Sequence, residues 1–318
     1  MKLPPHSPCK YGFEPKSPPS ALIANVDAGK FSASFDQRLW MFHRSWEPPV
    51  GAKVHATLMI VHGTVDHSGV YAELGLKLAQ QGIAVFAMDM RGWGLSDGES
   101  MYIDSMDTFV ADVHSFYQNV HSQSRYNHIK SRFLMGKSLG GSVTAFCVAK
   151  HPRLWTGIIG LSGAYEVDAK LTPSPIVMSL LKGLALLAPK LPLKPLFDEH
   201  LIVADKDALQ SWRDDPLCSK DKLRLGYIVT FFDCLKKITQ GIVQQIDLPM
   251  LMLCGDADRV VTLSGHELML QKSRHSDKQL KVYANGLHNL LQEPNLKLQV
   301  MTDIQEWLLE RSLNNKLQ

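Results

Sequence analysis

The chain has 318 residues, of which 45% are hydrophobic and 20% are charged. This balance is typical of a globular protein, and it excludes a collagen-like chain, an intrinsically disordered chain and a small disulfide-stapled domain. The 34 basic and 31 acidic residues leave a net charge of +3, and no basic run is of the kind that tracks phosphates. We therefore do not expect nucleic acid as a partner.

The N-terminal residues, the length of the apolar runs and the cysteines indicate the cellular compartment of the protein. The first 20 residues contain six prolines and no apolar stretch, so residues 1–24 are predicted to be a flexible arm and not a secretion signal. No apolar run reaches the length of a membrane span. The five cysteines are scattered without a CxxC pair, which favours free thiols in a reducing compartment over disulfides or a zinc site. A cytoplasmic location, open to peripheral membrane association, is expected.

The first predicted element is an antiparallel hairpin over residues 31–46, with a polar pivot at Asp36 and Gln37. After it, short apolar runs alternate with helical patterns, which indicates a mostly parallel sheet flanked by helices. Apolar residues at steps of three and four predict a helix from Met106 to Val120. The predicted strands are residues 57–61, 83–88, 132–135, 157–161, 250–254 and 280–283.

The alternation of strands and helices stops between residues 165 and 245. Prolines are frequent there, and apolar clusters with helical spacing lie at residues 176–187 and 223–238. We predict a helical cap inserted after the sixth strand. The core would then comprise residues 25–164 and 246–312, with a short tail at 313–318.

A Gly136-x-Ser138-x-Gly140 motif follows a predicted strand and opens a helical pattern. Such a strand, sharp turn and helix present a serine hydroxyl as a nucleophile, and the glycines let the backbone double back. A serine nucleophile needs a base, and the base needs a carboxylate that orients it.

Two loops after later predicted strands supply these groups. Asp258 follows residues 250–254 and His288 follows residues 280–283, in the order serine, acid, histidine that α/β-hydrolases use. We therefore predict a triad of Ser138, Asp258 and His288. Asp256 competes for the acid position, but its place directly after Gly255 suits a turn and favours Asp258.

A tetrahedral intermediate needs two N–H donors for its oxyanion. The backbone N–H of Leu139, which follows the serine, is one candidate, and that of Thr64 in the loop after residues 57–61 is the other. His62 in the same loop is interpreted as a bracing residue. Asp66 and His67 are expected to make a structural hydrogen bond in that loop and not to bind a metal.

Five motifs in this order resemble the monoacylglycerol lipase and lysophospholipase branch of the α/β-hydrolases. They are HGTVDHSGVY at 62–71, DMRGWGLSDG at 89–98, GKSLGG at 136–141, DPL at 215–217, and GxADR at 255–259 followed by His288. The resemblance covers residues 31 to 309. It implies the α/β-hydrolase fold, the same triad and oxyanion donors, and a mobile cap that guides a long acyl chain.

Three positions depart from that family's pattern. Lys137 stands where relatives have His or Glu, and we expect it to point to the surface rather than to modulate the environment of Ser138. Val70 replaces an Arg, and Trp212 replaces a Tyr that helps to hold the glycerol head group. Trp212 and Val70 are therefore candidate substrate contacts that differ from those of the family, although Trp212 could equally be an aromatic that packs the cap.

The cap residues 174–188 are apolar nearly all round. Two interpretations remain open: a helix buried on the sheet, or a wall of an acyl tunnel whose outer side touches a lipid surface. In the second case Ile176, Leu180 and Leu184 contact the substrate.

Taken together, the sequence predicts a serine ester hydrolase, without cofactor or metal, that cleaves monoacylglycerol-type or lysophospholipid acyl esters through an acyl-enzyme intermediate. The alternatives are a carboxylesterase or thioesterase for smaller or non-lipid acyl esters, or a binding protein that has lost turnover.

Overall fold

Eight strands form a single sheet in the computed structural model, which describes residues 29–193 and 198–314. The predicted arm at residues 1–24 and Cys9 lie outside the described residues. In chain order the strands are β1 (Lys30–Ala33), β2 (Trp40–Trp46), β3 (Ala56–Val61), β4 (Ile83–Met88), β5 (Arg132–Lys137), β6 (Gly157–Leu161), β7 (Met250–Gly255) and β8 (Lys278–Tyr283). Across the sheet their order is β1-β2-β4-β3-β5-β6-β7-β8.

The pairing of the strands confirms the predicted fold class. β1 and β2 form the antiparallel hairpin, with Gln37 in a left-handed turn conformation between them. β2 is antiparallel to β4, and the remaining neighbours are all parallel. Parallel strands place their carboxyl ends along one edge of the sheet, and the loops that follow β3, β5, β7 and β8 therefore meet there.

Eight α-helices accompany the sheet in the described residues. They are α1 (Ala72–Ala79), α2 (Met106–His121), α3 (Leu139–Lys150), α4 (Pro175–Ala185), α5 (Lys206–Asp214), α6 (Leu225–Lys237), α7 (Leu263–Lys272) and α8 (Pro294–Asn314). Three of them, α4, α5 and α6, lie between β6 and β7, and we call this inserted segment the cap. The prediction missed α5 because its sequence is mostly polar and buries only Leu209 and Trp212.

The core consists of two apolar layers, one on each face of the sheet. Successive side chains of a strand point to opposite faces. Met59 and Val61 of β3 accordingly pack in the layer that contains α2 and α3, whereas Leu58 and Ile60 pack in the layer that contains α1 and α8. The sheet is thus covered on both faces, which explains the near-continuous apolar runs of its central strands.

β3 and β7 are each one residue longer than predicted, and two other strands are longer by two residues. β5 continues to Lys137, so Gly136 pairs with Gly160 and Lys137 pairs with Leu161. β8 begins at Lys278 and lies at the edge of the sheet, where Val282 is 44% exposed. β8 therefore has a neighbouring strand on one side only, and most of its residues are half-buried or exposed.

The structure also locates the thiols and the helix ends. The four cysteines in the described ranges, at positions 147, 218, 234 and 254, are buried and free.

At the start of α4, the Ser174 hydroxyl accepts a hydrogen bond from the Val177 N–H and Pro175 occupies the first helical position, both typical start signals. Within residues 29–193 and 198–314, no helix combines the length and the apolar character needed to cross a bilayer.

Candidate active site

Ser138 lies in the sharp turn between β5 and α3. Its backbone φ of +52° is in a region that residues other than glycine rarely adopt, and it marks a strained position. The neighbouring glycines make the turn possible, because a Cβ at Gly136 would collide with the Gly140 carbonyl and a Cβ at Gly140 would collide with the Val61 carbonyl. The motif thus folds as the strand–turn–helix that the sequence predicted.

The structure brings the three predicted triad residues together. The His288 Nε2 atom lies 2.9 Å from the Ser138 Oγ atom, and the His288 Nδ1 atom lies 2.8 Å from the Asp258 Oδ2 atom. All three residues are buried. Residues up to 150 positions apart in the chain therefore form one continuous line of hydrogen bonds.

The surroundings of Asp258 fix the proton arrangement of this line. Burial alone would raise the pKa of Asp258, but the charge and hydrogen bond of His288 and the N–H groups of Val260 and Val261 outweigh it and lower that pKa. An ionised carboxylate can only accept hydrogen bonds. The His288 Nδ1–H therefore donates to Asp258, and in the neutral ring Nε2 is left to accept the Ser138 hydroxyl proton.

Asp256, the other candidate acid, lies elsewhere. It is exposed, and its Oδ1 atom accepts a hydrogen bond from the Asn285 N–H at 2.7 Å. The structure thus places Asp256 as a partner of the turn after β8 and leaves the position beside His288 to Asp258.

The loop after β3 is braced where it passes the serine. The His62 Nε2 atom accepts the Met90 N–H at 2.9 Å, and its Nδ1–H donates to the Gly63 carbonyl at 2.7 Å. Burial lowers the pKa of this imidazole, which keeps it neutral. Thr64, two residues after His62, is held at two points. Its carbonyl accepts a hydrogen bond from the Trp93 indole N–H, and its side-chain hydroxyl lies 2.6 Å from the Tyr227 hydroxyl.

The two predicted oxyanion donors flank the serine. Leu139 is the first residue of α3, and the first N–H groups of a helix have no partner within the helix. Thr64 lines the same cleft as Ser138. Both are backbone groups at the edge of the sheet where the triad lies.

A narrow, mostly apolar cleft of about 30 Å³ lies over Ser138. The cap supplies one wall through aromatic residues of α6. The helix was predicted from the sequence, but these residues were not predicted as contacts. Aromatic residues one turn apart in that helix were the available signal. The cleft is lined by Thr64, Ser138, Ala164, Val167, Leu171, Leu223, Tyr227, Phe231, Phe232, Val260 and Val261.

Comparison with known proteins identifies the family. Residues 52–295 match the family Hydrolase_4, described as serine aminopeptidase S33. The chain belongs to this family. It is 28% identical to the monoglyceride lipase of Homo sapiens over 274 residues, which cover 86% of this chain and 88% of that protein.

Two solved structures share the fold of this chain. The monoacylglycerol lipase of Paleococcus ferrophilus has a TM-score of 0.75 at 25% identity and matches 85% of this chain and 99% of its own. A soluble variant of the Saccharomyces cerevisiae monoglyceride lipase, solved with a substrate analog, has a TM-score of 0.80 at 20% identity and matches 93% and 99%. The resemblance to monoacylglycerol lipases is confirmed, and the protein is a carboxylic ester hydrolase.

The predicted substrate contacts on α4 lie on the exposed side of the cap. Ile176, Leu180 and Leu184 are 77%, 69% and 42% exposed and do not line the cleft over Ser138. The interpretation of a helix buried on the sheet was wrong, because these residues are exposed. The interpretation of a tunnel wall whose outer side touches a lipid surface stays a prediction. α4 packs on α6, so α6 forms the wall and the outer face of α4 is left to solvent.

Trp212 and Val70 also lie outside the cleft. The Trp212 indole N–H donates to the Val65 carbonyl at 3.2 Å, and the ring is 8% exposed in a small cluster with Leu209. Val70 lines a separate cavity next to Trp212. Trp212 thus uses its one donor to join the cap to the loop after β3. It also lines a cavity that shares Thr64 with the cleft, so its role as a substrate contact stays a prediction.

Lys137 corrects a further expectation. Its side chain is only 5% exposed, and its Nζ atom lies 2.8 Å from the Asp66 Oδ2 atom, whose side chain is 2% exposed. The ammonium also donates a hydrogen bond to the Asn289 side chain. The expected surface role was wrong, because β5 extends through Lys137 and directs it beneath the loop after β3.

The neighbouring His67 has a different partner. Its Nδ1 atom accepts the Gly69 N–H at 3.1 Å, so its Nε2–H donates to the Asp215 carboxylate at 2.9 Å. Asp66 and His67 thus make two separate structural contacts. Ligand atoms of His67, Asp215 and Cys218 lie within 4.8 Å of one another, but both nitrogens of the imidazole are already engaged in hydrogen bonds.

Proposed function

We propose that Ser138, Asp258 and His288 form a catalytic triad that hydrolyses the ester of a mono-acylated lipid. The observation that carries this proposal is the unbroken line of hydrogen bonds from the Ser138 Oγ atom through His288 to Asp258, beneath an apolar cleft. The Ser138 hydroxyl attacks the ester carbonyl carbon while its proton passes to the His288 Nε2 atom. Asp258 stabilises the imidazolium that results.

The remaining steps use the same groups. The N–H groups of Thr64 and Leu139 hold the oxyanion of the tetrahedral intermediate. Collapse of the intermediate breaks the ester C–O bond, and His288 returns its proton to the leaving alcohol. Water then attacks the acyl-enzyme with His288 as base, which releases the fatty acid and restores the Ser138 hydroxyl.

The cleft favours an apolar acyl group. Its walls are aliphatic and aromatic, and an apolar cover strengthens the interaction of the oxyanion with its donors. At about 30 Å³ it is well below the roughly 300–1,000 Å³ of typical ligand pockets. We therefore expect the α6 wall to move outward when a long acyl chain enters.

A second cavity of about 350 Å³ suits the alcohol part of the substrate. It shares Thr64 and Leu223 with the cleft over Ser138. Two cationic and two anionic side chains also line it, which suits a polyol or a zwitterionic phosphodiester head group. These are Glu199, Arg213, Lys220 and Asp221. Monoacylglycerols and lysophospholipids are therefore the proposed substrates.

The narrow cleft also favours a second candidate, an esterase or thioesterase for short acyl groups. Rates on monoacylglycerols, lysophospholipids, short p-nitrophenyl esters and acyl thioesters separate the two. We expect the highest kcat/KM for an acyl-lipid ester of medium or long chain. A profile that peaks at acetate or at the thioester would favour the second candidate.

We further propose that the outer face of α4 contacts the lipid surface that delivers the substrate. Leu180 and its neighbours on this face are exposed, and α4 packs on α6, which walls the cleft. Lys182 links the two helices through an ion pair with Asp233 of 2.6 Å. Contact of α4 with a lipid surface would thus act on the helix that has to move.

Substitution of the proposed nucleophile tests the function directly. Ser138→Ala is expected to abolish hydrolysis of a monoacylglycerol, and His288→Ala to lower kcat by several orders of magnitude, with the melting temperature retained. Ser179→Ala and His128→Ala change exposed residues outside the triad and serve as matched controls. Ordinary activity in Ser138→Ala would overturn the assignment.

A further inference from the structure

A second buried network lies next to the proposed triad. It consists of Lys137, Asp66 and Asn289: the Lys137 ammonium is 2.8 Å from the Asp66 carboxylate and donates a hydrogen bond to the Asn289 side-chain oxygen. All three residues are at most 4% exposed. The mechanism proposed above uses none of these side chains.

Each member of this network is next to a reacting position in the chain. Lys137 directly precedes Ser138, Asn289 directly follows His288, and Asp66 lies two residues after Thr64. One ammonium group therefore joins the three loops that carry the proposed nucleophile, base and oxyanion donor. A shift of any of its partners is passed to the site through one or two peptide units.

The side chain of Lys137 is closely packed. A Cβ at Gly63 would lie 2.9 Å from the Lys137 Cδ atom and 3.0 Å from the Ser138 Cβ atom, so the lysine stem packs tightly under the loop that carries Thr64. On the other side, the Asn289 side-chain N–H₂ group donates to Gln292 at 2.6 Å and its backbone N–H donates to the Ile202 carbonyl at 2.7 Å. Asn289 is thus held at both ends.

We propose that Lys137, with Asp66 and Asn289, is a positioning network that sets the spacing between Ser138, His288 and Thr64. This inference rests on the proposed triad. Catalytic geometry is sensitive, because a displacement of about 1 Å can cost roughly 10²-fold in rate. Lys137 and Asn289 do not line the cleft over Ser138, so the network acts on turnover and not on acyl binding.

Variants that remove one or both charges of the network separate its effect on catalytic geometry from its effect on protein stability. Loss of one partner of a buried ion pair leaves an uncompensated charge, whereas replacement of both by apolar residues is often neutral for stability. Lys137→Met is expected to lower the melting temperature and to lower kcat by about 10²-fold with KM unchanged. The double variant Lys137→Met/Asp66→Leu is expected to regain the melting temperature but to keep the low kcat.

A third variant and a control complete the experiment. Asn289→Leu leaves the ion pair in place and is expected to lower kcat, and its effect should be less than additive with Lys137→Met because both break one network. Lys150→Met breaks an exposed ion pair between α3 and α2, with Asp107, and is expected to keep the wild-type kcat.

Three results would overturn the proposal: an unchanged kcat in Lys137→Met, an unchanged kcat in Asn289→Leu, or a double variant that regains kcat together with its melting temperature. Failure of the triad itself is recognised separately, because Ser138→Ala would then remain active whatever the Lys137 variants do.

Discussion

The edge of the sheet and the cap contribute differently to the proposed site. The triad residues lie at the carboxyl ends of parallel strands and are 3–8% exposed, whereas the outer residues of α4 are 42–77% exposed. Strand pairing and buried hydrogen bonds hold the first group in fixed positions. The second group belongs to a helix that packs on another helix of the cap. We therefore propose that the rigid part carries the chemistry and that the cap selects the substrate.

The largest expected effect tests the rigid part. Asp258→Asn is expected to lower kcat by about 10⁴-fold, because an amide favours the wrong imidazole tautomer and does not stabilise the imidazolium. The measurement is kcat on a soluble ester. Asp256→Asn, two residues away, is expected to keep most of the activity, since Asp256 contacts the turn at Asn285. A larger loss in Asp256→Asn would break the assignment of the acid.

The next prediction concerns the contact that joins the two parts. Asp215, at the end of α5, accepts a hydrogen bond from His67 in the loop after β3. Burial alone would raise the pKa of Asp215, but the hydrogen bond and charge of His67 and the N–H groups of Leu217 and Cys218 outweigh it and lower this pKa to about 2. A lowered carboxyl pKa stabilises the fold above its ordinary value of 3.8, and this stabilisation is lost as the pH falls towards 2.

Acid unfolding measures this link. The wild type is expected to lose about 2 kcal/mol of unfolding free energy from this group over that pH range, a loss that Asp215→Asn should not show. Asp214→Asn changes the exposed neighbour and is the matched control. If both variants followed the wild-type acid unfolding curve, the contact between the cap and the core would contribute no charge-dependent stability.

A smaller effect is expected at the cleft wall. Phe231→Ala on α6 removes a ring that lines the cleft, and it should lower kcat/KM for a p-nitrophenyl decanoate by about 10-fold while acetate hydrolysis changes little. Phe35→Ala, at an exposed position in the hairpin, is the control. Equal losses on both esters would mean that α6 supports the triad and does not select the acyl group, which would weaken the comparison.

The smallest expected effect is at the outer face of α4. Leu180→Ser is expected to lower binding to phosphatidylcholine vesicles several-fold, because it removes an apolar side chain from the proposed contact. Hydrolysis of a soluble short-chain ester should stay unchanged. Leu298→Ser on α8 is a close control, since Leu298 is 67% exposed and Leu180 is 69% exposed. Equal loss of binding in both variants would argue against a specific lipid-facing surface.

The same contrast explains what the sequence could predict. Apolar runs, the glycine–serine motif and the order of the loops predicted the parallel sheet and residues that the structure brings into contact, because strand ends and sharp turns have local sequence requirements. The face that α4 presents has no such requirement. Its residues are apolar all round, so periodicity does not show which side meets α6 and which side, with Ile176, Leu180 and Leu184, is exposed.

Lys137 shows a different limit. A lysine beside a nucleophile is usually solvated, and its burial depends on Asp66 and Asn289, which are 71 and 152 positions away in the chain. Nothing near Lys137 in the sequence indicates these partners. Long-range pairs of single side chains of this kind become visible only when the topology brings their loops together.

Covalent labelling with a fluorophosphonate, followed by peptide mass spectrometry, tests the central claim most directly. The account expects a single adduct on Ser138 that is lost in Ser138→Ala and forms far more slowly in His288→Ala. An active enzyme that gives no adduct, or an adduct on a different serine that abolishes activity, would contradict it.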